Sequence, residues 1–158
     1  MTLKEYRKQL LDYINLPSWL RPVAITLTLK QVFHSISGST RLTMEFATKN
    51  LRHFLNRLNR KYFGNASSRY NKRISIVPII EISTEGRIHY HLLMDRPLHI
   101  TAVQFEVDIR NLWRSTDWGY KEVQIDNNPN EGWLYYMTKH SQKPDYDLSI
   151  DWMNYHRQ

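Results

Sequence analysis

Two histidines one residue apart, His89 and His91, alternate with Ile88, Tyr90, Leu92 and Met94, the pattern of a strand with one apolar face. A second alternating run, Arg73 to Ser83, precedes it across Thr84-Glu85-Gly86, which reads as a three-residue hairpin loop with Gly86 in the left-handed position. Pairing Ser83 with Arg87 puts Glu81 opposite His89. Parity then turns Glu81, His89 and His91 toward one face and sends Ile76, Ile80 and Ile82 into the core with the apolar partners. Cross-strand neighbours lie about 5 Å apart and i, i+2 neighbours about 7 Å apart, so two imidazoles and one carboxylate can meet a single divalent cation. The same donors also hold catalytic zinc or non-haem iron, so the trio alone selects neither metal nor reaction.

A second set of candidates lies in Trp133-Leu134-Tyr135-Tyr136-Met137-Thr138-Lys139. On a helix Tyr136 and Lys139 stand at i, i+3 and share a face, while Tyr135 meets Lys139 at i, i+4 and competes for the same role. Tyrosine titrates near 10, so a tyrosine nucleophile needs a base or a neighbouring cation. A lysine can stabilise the phenolate and also hold a phosphate.

The elements that must position these groups are legible in outline. Leu3, Tyr6, Leu10 and Tyr13 have helical spacing, and Pro17 and Pro22 bracket a connector. Pro22 to Lys30 alternates strictly as a half-buried strand, with Val23, Ile25, Leu27 and Leu29 on one side. Ser35 to Thr40 reads as a loop, followed by a long basic helix ending near Gly64 with Phe46, Leu51, Phe54, Leu55, Leu58 and Tyr62 as its apolar stripe. Ile100 to Arg114 fits helix better than strand by its length. Tyr120 to Asp126 reads as a strand, and Asn128-Pro129-Asn130-Glu131 supplies the cap, first-turn proline and acid of a helix running through His140. Tyr146, Leu148, Ile150 and Trp152 alternate as a last strand or extended tail. The middle six elements have the order of a ferredoxin-like split βαβ unit. The expected fold is therefore α+β, ferredoxin-like or RRM-like: an antiparallel sheet with helices on one face and the site on the other, in a single domain spanning residues 1–158.

The chain has 158 residues with 22 Lys plus Arg against 15 Asp plus Glu, a net charge of +7 that favours polyanionic partners. It has no cysteine, which excludes disulfides, thiolate metal sites and cysteine nucleophiles. No Gly-x-x-x-x-Gly-Lys sequence is present to support an ATPase motor. No signal-peptide core and no apolar run of membrane-spanning length is found, so the expectation is a soluble intracellular protein that is not secreted.

Glu81, the His89-Tyr90-His91-Leu92 strand and Tyr136-x-x-Lys139, with Ile25-Thr26-Leu27-Thr28 as a first motif, resemble the HUH endonucleases, in particular the replication initiators of rolling-circle plasmids and viruses. The resemblance runs from about residue 22 to 140. It implies a metal-dependent endonuclease and strand transferase that nicks and rejoins single-stranded DNA through a 5′-phosphotyrosine bond. Mn2+ or Mg2+ would be held by Glu81, His89 and His91. Tyr136 would be the nucleophile, with Tyr135 as the alternative, and Lys139 its cationic partner. It further implies single-stranded DNA at an origin hairpin as substrate, a host helicase and polymerase as partners because no helicase is appended, and the cytoplasm of a bacterial or archaeal host, or a virus's host cell, as the location.

DNA contacts are expected from Thr26, Thr28 and Lys30 on the first strand. The basic surplus adds Arg52, Arg57, Arg60 and Lys61 on the long helix and Arg69, Lys72 and Arg73 after it, with Tyr70 and Trp118 as stacking candidates. Three other classes share parts of the pattern. A single-strand DNA transposase uses the same His-x-His and tyrosine logic, a non-enzymatic RNA-binding or single-strand-binding module has the same topology, and a zinc hydrolase or iron oxygenase uses the same ligand trio.

Overall fold

The computed structural model describes residues 2–83, 85–138 and 150–158. Helix α1, Leu3–Ile14, opens on a capping box: the Thr2 side chain accepts from the Glu5 N–H, and the Glu5 carboxylate accepts from the Thr2 N–H. A 3-10 turn, Leu16–Ser18, leads into strand β1, Pro22–Leu29. The chain then forms a two-stranded ribbon, β2 Val32–Ser35 and β3 Gly38–Arg41, which takes in the Ser35 to Thr40 stretch that reads as a loop. Its Ser, Gly and Thr residues are turn formers that here line an exposed hairpin with no apolar face of its own to advertise it.

Helix α2, Met44–Phe63, is capped by Thr43, and the short helix α3, Ala66–Arg69, follows it. Strands β4, Ile76–Ile82, and β5, Ile88–Asp95, form the expected hairpin, with Gly86 at φ 79°. Thr84 lies outside the described residues. Helix α4, Ala102–Arg114, strand β6, Gly119–Asp126, and helix α5, Glu131–Thr138, complete the elements. A side chain at Gly119 would place its Cβ 1.9 Å from the Trp113 carbonyl, so the close return from α4 to β6 demands glycine. The cap of α5 is Asn130, whose side chain accepts from the Trp133 N–H, and not Asn128; Pro129 therefore precedes the helix rather than occupying its first turn.

The main sheet has the order β4-β5-β1-β6 and is antiparallel throughout, the strand order of a ferredoxin-like α+β fold. One face packs against α2 and α4 through a core that includes Ile25, Leu27, Phe54, Leu58, Tyr90, Leu92, Phe105 and Trp113. The other face is not wholly open. Leu10 and Ile14 of α1, with Leu134 and Met137 of α5, cover Val77, Ile79 and Leu93 at one end of it. Ile82, expected in the core, is exposed at the end of β4.

Residues 150–158 run along the free edge of β4 through isolated bridges Ile79–Ile150 and Ile76–His156 instead of forming a regular strand. Tyr146 and Leu148, read with Ile150 and Trp152 as a last strand or extended tail, and His140 at the expected helix end lie outside the described residues. Among the described residues no helix is long and apolar enough to cross a membrane.

Candidate active site

The pairing deduced from the turn holds: Glu81 stands opposite His89 across β4 and β5, while β1 sets Thr26 opposite His91 and Thr28 opposite His89. All five side chains share the sheet face that α1 and α5 cover at its other end. Glu81 Oε2 lies 2.8 Å from His91 Nε2 and 3.3 Å from His89 Nε2, and the two Nε2 atoms are 3.1 Å apart. Three donor atoms thus form one small triangle, and among the described residues this is the cluster able to hold a metal ion. Two ligands at right angles, each about 2.1 Å from an ion, stand about 3 Å apart, so the triangle has the size of one face of an octahedral coordination shell. The donor chemistry, two imidazole nitrogens and a carboxylate oxygen, fits the same class of ion.

Thr26 contributes what the sequence did not reveal. Its Oγ1 lies 3.1 Å from His91 Nδ1. With Nε2 presented to an ion as a lone pair, Nδ1 carries the ring proton and donates it to Thr26, which fixes both tautomer and ring orientation. Thr28 donates its hydroxyl to the Glu122 carbonyl at 2.6 Å. A register shift between β1 and β6 at this point frees the Thr28 carbonyl, which accepts from Trp113 Nε1 at 2.8 Å. Gln31 braces the near end of β5: its Nε2 donates to the Leu29 and Ile88 carbonyls, and its Oε1 accepts from the Ile88 N–H. Only a long-range contact gives Gln31 this role, so no local pattern could have pointed to it.

Helix α5 stands on the same face. Its Leu134 and Met137 pack in the cluster that contains Ile79, the direct cross-strand partner of His91. The two tyrosines differ. The Arg7 guanidinium sits 3.4 Å above the Tyr135 ring and donates to the Tyr135 carbonyl at 2.6 Å, so Tyr135 ties α5 to α1. Tyr136 is 68% exposed, and its hydroxyl has no hydrogen bond among the described residues. Lys139 lies outside the described residues.

The basic candidates divide by position. Lys30 is at the end of β1 beside the trio. Helix α2 packs on the opposite face of the sheet, and most of its cations have partners within the protein. Arg52 donates to the Met153 carbonyl, Arg57 to Ser115 Oγ, and Lys61 to Asp108 Oδ1 at 2.8 Å. Burial raises the Asp108 carboxyl, but hydrogen bonds from Lys61, Tyr62 and Gln104 outweigh it and hold the group below the usual carboxylate range. Arg60 is exposed on the same helix, Arg69 ends α3, Lys72 lies 5.4 Å from the Phe63 ring centre, and Arg73 approaches His156. Tyr70 is exposed, whereas Trp118 is buried against Phe46 and Phe33 and offers no platform for a base.

Residues 22–145 match the family described as Replication-associated protein ORF2. No curated protein and no solved structure matches the chain.

Proposed function

The chain belongs to the Replication-associated protein ORF2 family, and from that premise we propose that it nicks and rejoins single-stranded DNA at a replication origin through a tyrosine ester. The observation that carries the reading is the convergence of Glu81 Oε2, His89 Nε2 and His91 Nε2 within 3.3 Å on the sheet face that also bears the Tyr136 helix.

Glu81, His89 and His91 would hold a divalent ion, Mn2+ or Mg2+, which when bound supplies Lewis-acid polarisation of a phosphate oxygen. The chain's own residues do the rest. Thr26 keeps His91 in the tautomer that offers Nε2 toward Glu81 and His89. Tyr136 loses its phenolic proton and its oxygen attacks phosphorus; the bond from phosphorus to the 3′-oxygen breaks, and that oxygen leaves as a hydroxyl after taking a proton. The product is a 5′-phosphotyrosine bond and a free 3′-hydroxyl. Since one phosphodiester replaces another, the same groups run the joining step in reverse without a nucleotide cofactor. Lys139 would stabilise the phenolate or the phosphate, worth about 3 kcal/mol in a partly desolvated site by analogy with other preorganised donors. Tyr136 is preferred over Tyr135 because Tyr135 is committed to Arg7.

The test is a labelled, randomised single-stranded DNA pool incubated with protein and Mn2+ and resolved on a denaturing gel. The expected result is a protein–DNA adduct that chelator, Glu81→Gln and Tyr136→Phe each remove. An adduct that survives chelator, or DNA binding with no adduct under any divalent ion, contradicts the proposal.

A further inference from the structure

A groove of about 450 Å³ opens beside the trio, and His89 lines it as well as belonging to the metal-ligand triangle. Its floor is the ends of β1, β5 and β6. Val32, where the β2–β3 ribbon leaves the sheet, and Arg87, at the β4–β5 turn, both line the groove. The ribbon is anchored by Phe33, whose ring lies 5.6 Å from Trp118, while the rest of it is largely exposed. At the ribbon's base Arg41 reaches the turn: its Nη2 would be 3.6 Å from a Cβ at Gly86. Ribbon base and turn therefore meet beside a groove that reaches His89.

The lining has the chemistry of a single-strand site. Lys30 and Arg87 supply two cations, and among the described residues neither is paired with a carboxylate; the Lys30 ammonium donates to the Asp117 carbonyl at 3.4 Å. Glu122 is the one acid in the lining. Tyr120, 40% exposed, projects from β6 on the trio's side of the sheet. Cations that follow a backbone, with an aromatic ring that takes an unpaired base, are the combination by which proteins hold single strands with little sequence preference. A base inside a duplex has no free face for such a ring.

Resting on the reading proposed above, we infer that this groove holds the nucleotides of the single strand next to the scissile phosphate, with Lys30 and Arg87 on phosphates and Tyr120 stacked on a base. These are positioning residues: they deliver the strand to the trio and take no part in bond exchange. The β2–β3 ribbon, which a minimal four-stranded unit of this topology does not need, thereby gains a role as one wall of the substrate path.

The test measures binding apart from chemistry. A fluorescein-labelled, randomised single-stranded DNA pool is titrated with the full chain in chelator, and anisotropy is read at several salt concentrations. Tyr120→Ala is expected to weaken binding about tenfold or more, and Tyr120→Phe to stay within about twofold of the parent because the ring is kept. The double variant Lys30→Ala with Arg87→Ala is expected to flatten the slope of log affinity against log salt by about 1.4, the loss of two phosphate contacts to a single strand. Lys121→Ala, an exposed lysine on β6 with the opposite side-chain parity, should behave as the parent. Parent-like affinity and salt slope in the groove variants, with circular dichroism showing them folded, would overturn the inference. So would an equal loss in Lys121→Ala.

Scoring the same proteins for the covalent adduct separates the two readings. An adduct with undisturbed binding in the groove variants removes the groove and leaves the chemistry. Weakened binding in those variants, with no adduct even from the parent, removes the chemistry and leaves the groove.

Discussion

Thr26 and His91 are the pair on which the geometry of the site turns. A metal-binding imidazole is held by whatever its second nitrogen bonds, and loss of such a partner typically costs about ten- to a hundredfold in metal affinity. Thr26→Val, which keeps the shape and removes the hydroxyl, is therefore expected to weaken Mn2+ binding by about that factor in isothermal titration calorimetry, while Thr26→Ser retains most of it. Equal affinity for the valine variant would leave Thr26 without a part in metal binding. The trio itself is readable in the sequence because a strand has a period of two and a short turn fixes register, so Glu81, His89 and His91 follow from counting. Thr26 reads from sequence as a DNA contact because its bond to His91 spans 65 positions and depends on which strand lies next to β5. Arg7 over Tyr135 is hidden for the same reason, with 128 positions between them.

At the scale of elements, residues 150–158 fasten the strand that bears the histidines. Tyr90, between His89 and His91, points into the core and donates to Asp151 Oδ2 at 2.8 Å; Asn154 donates to the same oxygen at 2.7 Å and to the Thr48 carbonyl at 3.0 Å. Asp151 and Asn154 thus link β5, the tail and α2. Burial, and then the Asp151 charge, push the Tyr90 hydroxyl above its usual range, which keeps it a donor across the whole working pH range. Asp151→Ala removes the buried carboxylate that accepts from that hydroxyl and from Asn154, at a cost of about 1–3 kcal/mol in urea unfolding. If the trio binds the ion, Mn2+ affinity is expected to fall with it, because the strand between His89 and His91 loses its anchor. A variant with unchanged urea midpoint and unchanged Mn2+ affinity would dismiss the tail as an accessory.

The main strands and long helices are legible because each has an apolar stripe with its own period. The second layer of helices is less so, although Ile76-Val77-Pro78-Ile79-Ile80 carries a trace of it. A run apolar at consecutive positions has no solvent face, and here α1 and α5 cover its second side. The β2–β3 ribbon is hidden because Ser35 to Thr40, its tip and most of its second strand, is rich in turn formers, and Trp118 misleads because an aromatic residue beside a turn gives no local sign of burial.

For the whole molecule, charge and titration make separate predictions. His156 is partly buried where the tail bridges Ile76, and burial, then the nearby Arg73 charge, lower its pKa from the ordinary 6.5. Below 6.5 the unfolded chain takes up a proton that the folded chain resists. The unfolded state then binds more protons, so this contribution to stability is complete above 6.5 and is lost as pH falls through the depressed folded value. Thermal denaturation at pH 7.5 and 5.5 is expected to show a larger drop in Tm for the parent than for His156→Gln; parallel drops would contradict the assignment. The net charge of +7 points to a polyanionic partner from composition alone, but not to where it binds. Helix α2 carries many of the cations, yet packs on the sheet face away from the trio, so proximity to the site singles out Lys30 and Arg87 instead.

Under the proposed mechanism, Tyr136 becomes esterified to DNA in a reaction that needs the Glu81, His89 and His91 cluster. Trypsin releases both candidate tyrosines in one peptide, Glu122 to Lys139. After incubation with single-stranded DNA and Mn2+ and digestion of the DNA by nuclease, fragmentation of that peptide by mass spectrometry reads the modified residue directly. The expected result is a nucleotide remnant on Tyr136, absent in chelator and in His91→Ala. A remnant on Tyr135, or an unmodified peptide from protein that has cleaved the DNA, would contradict the claim.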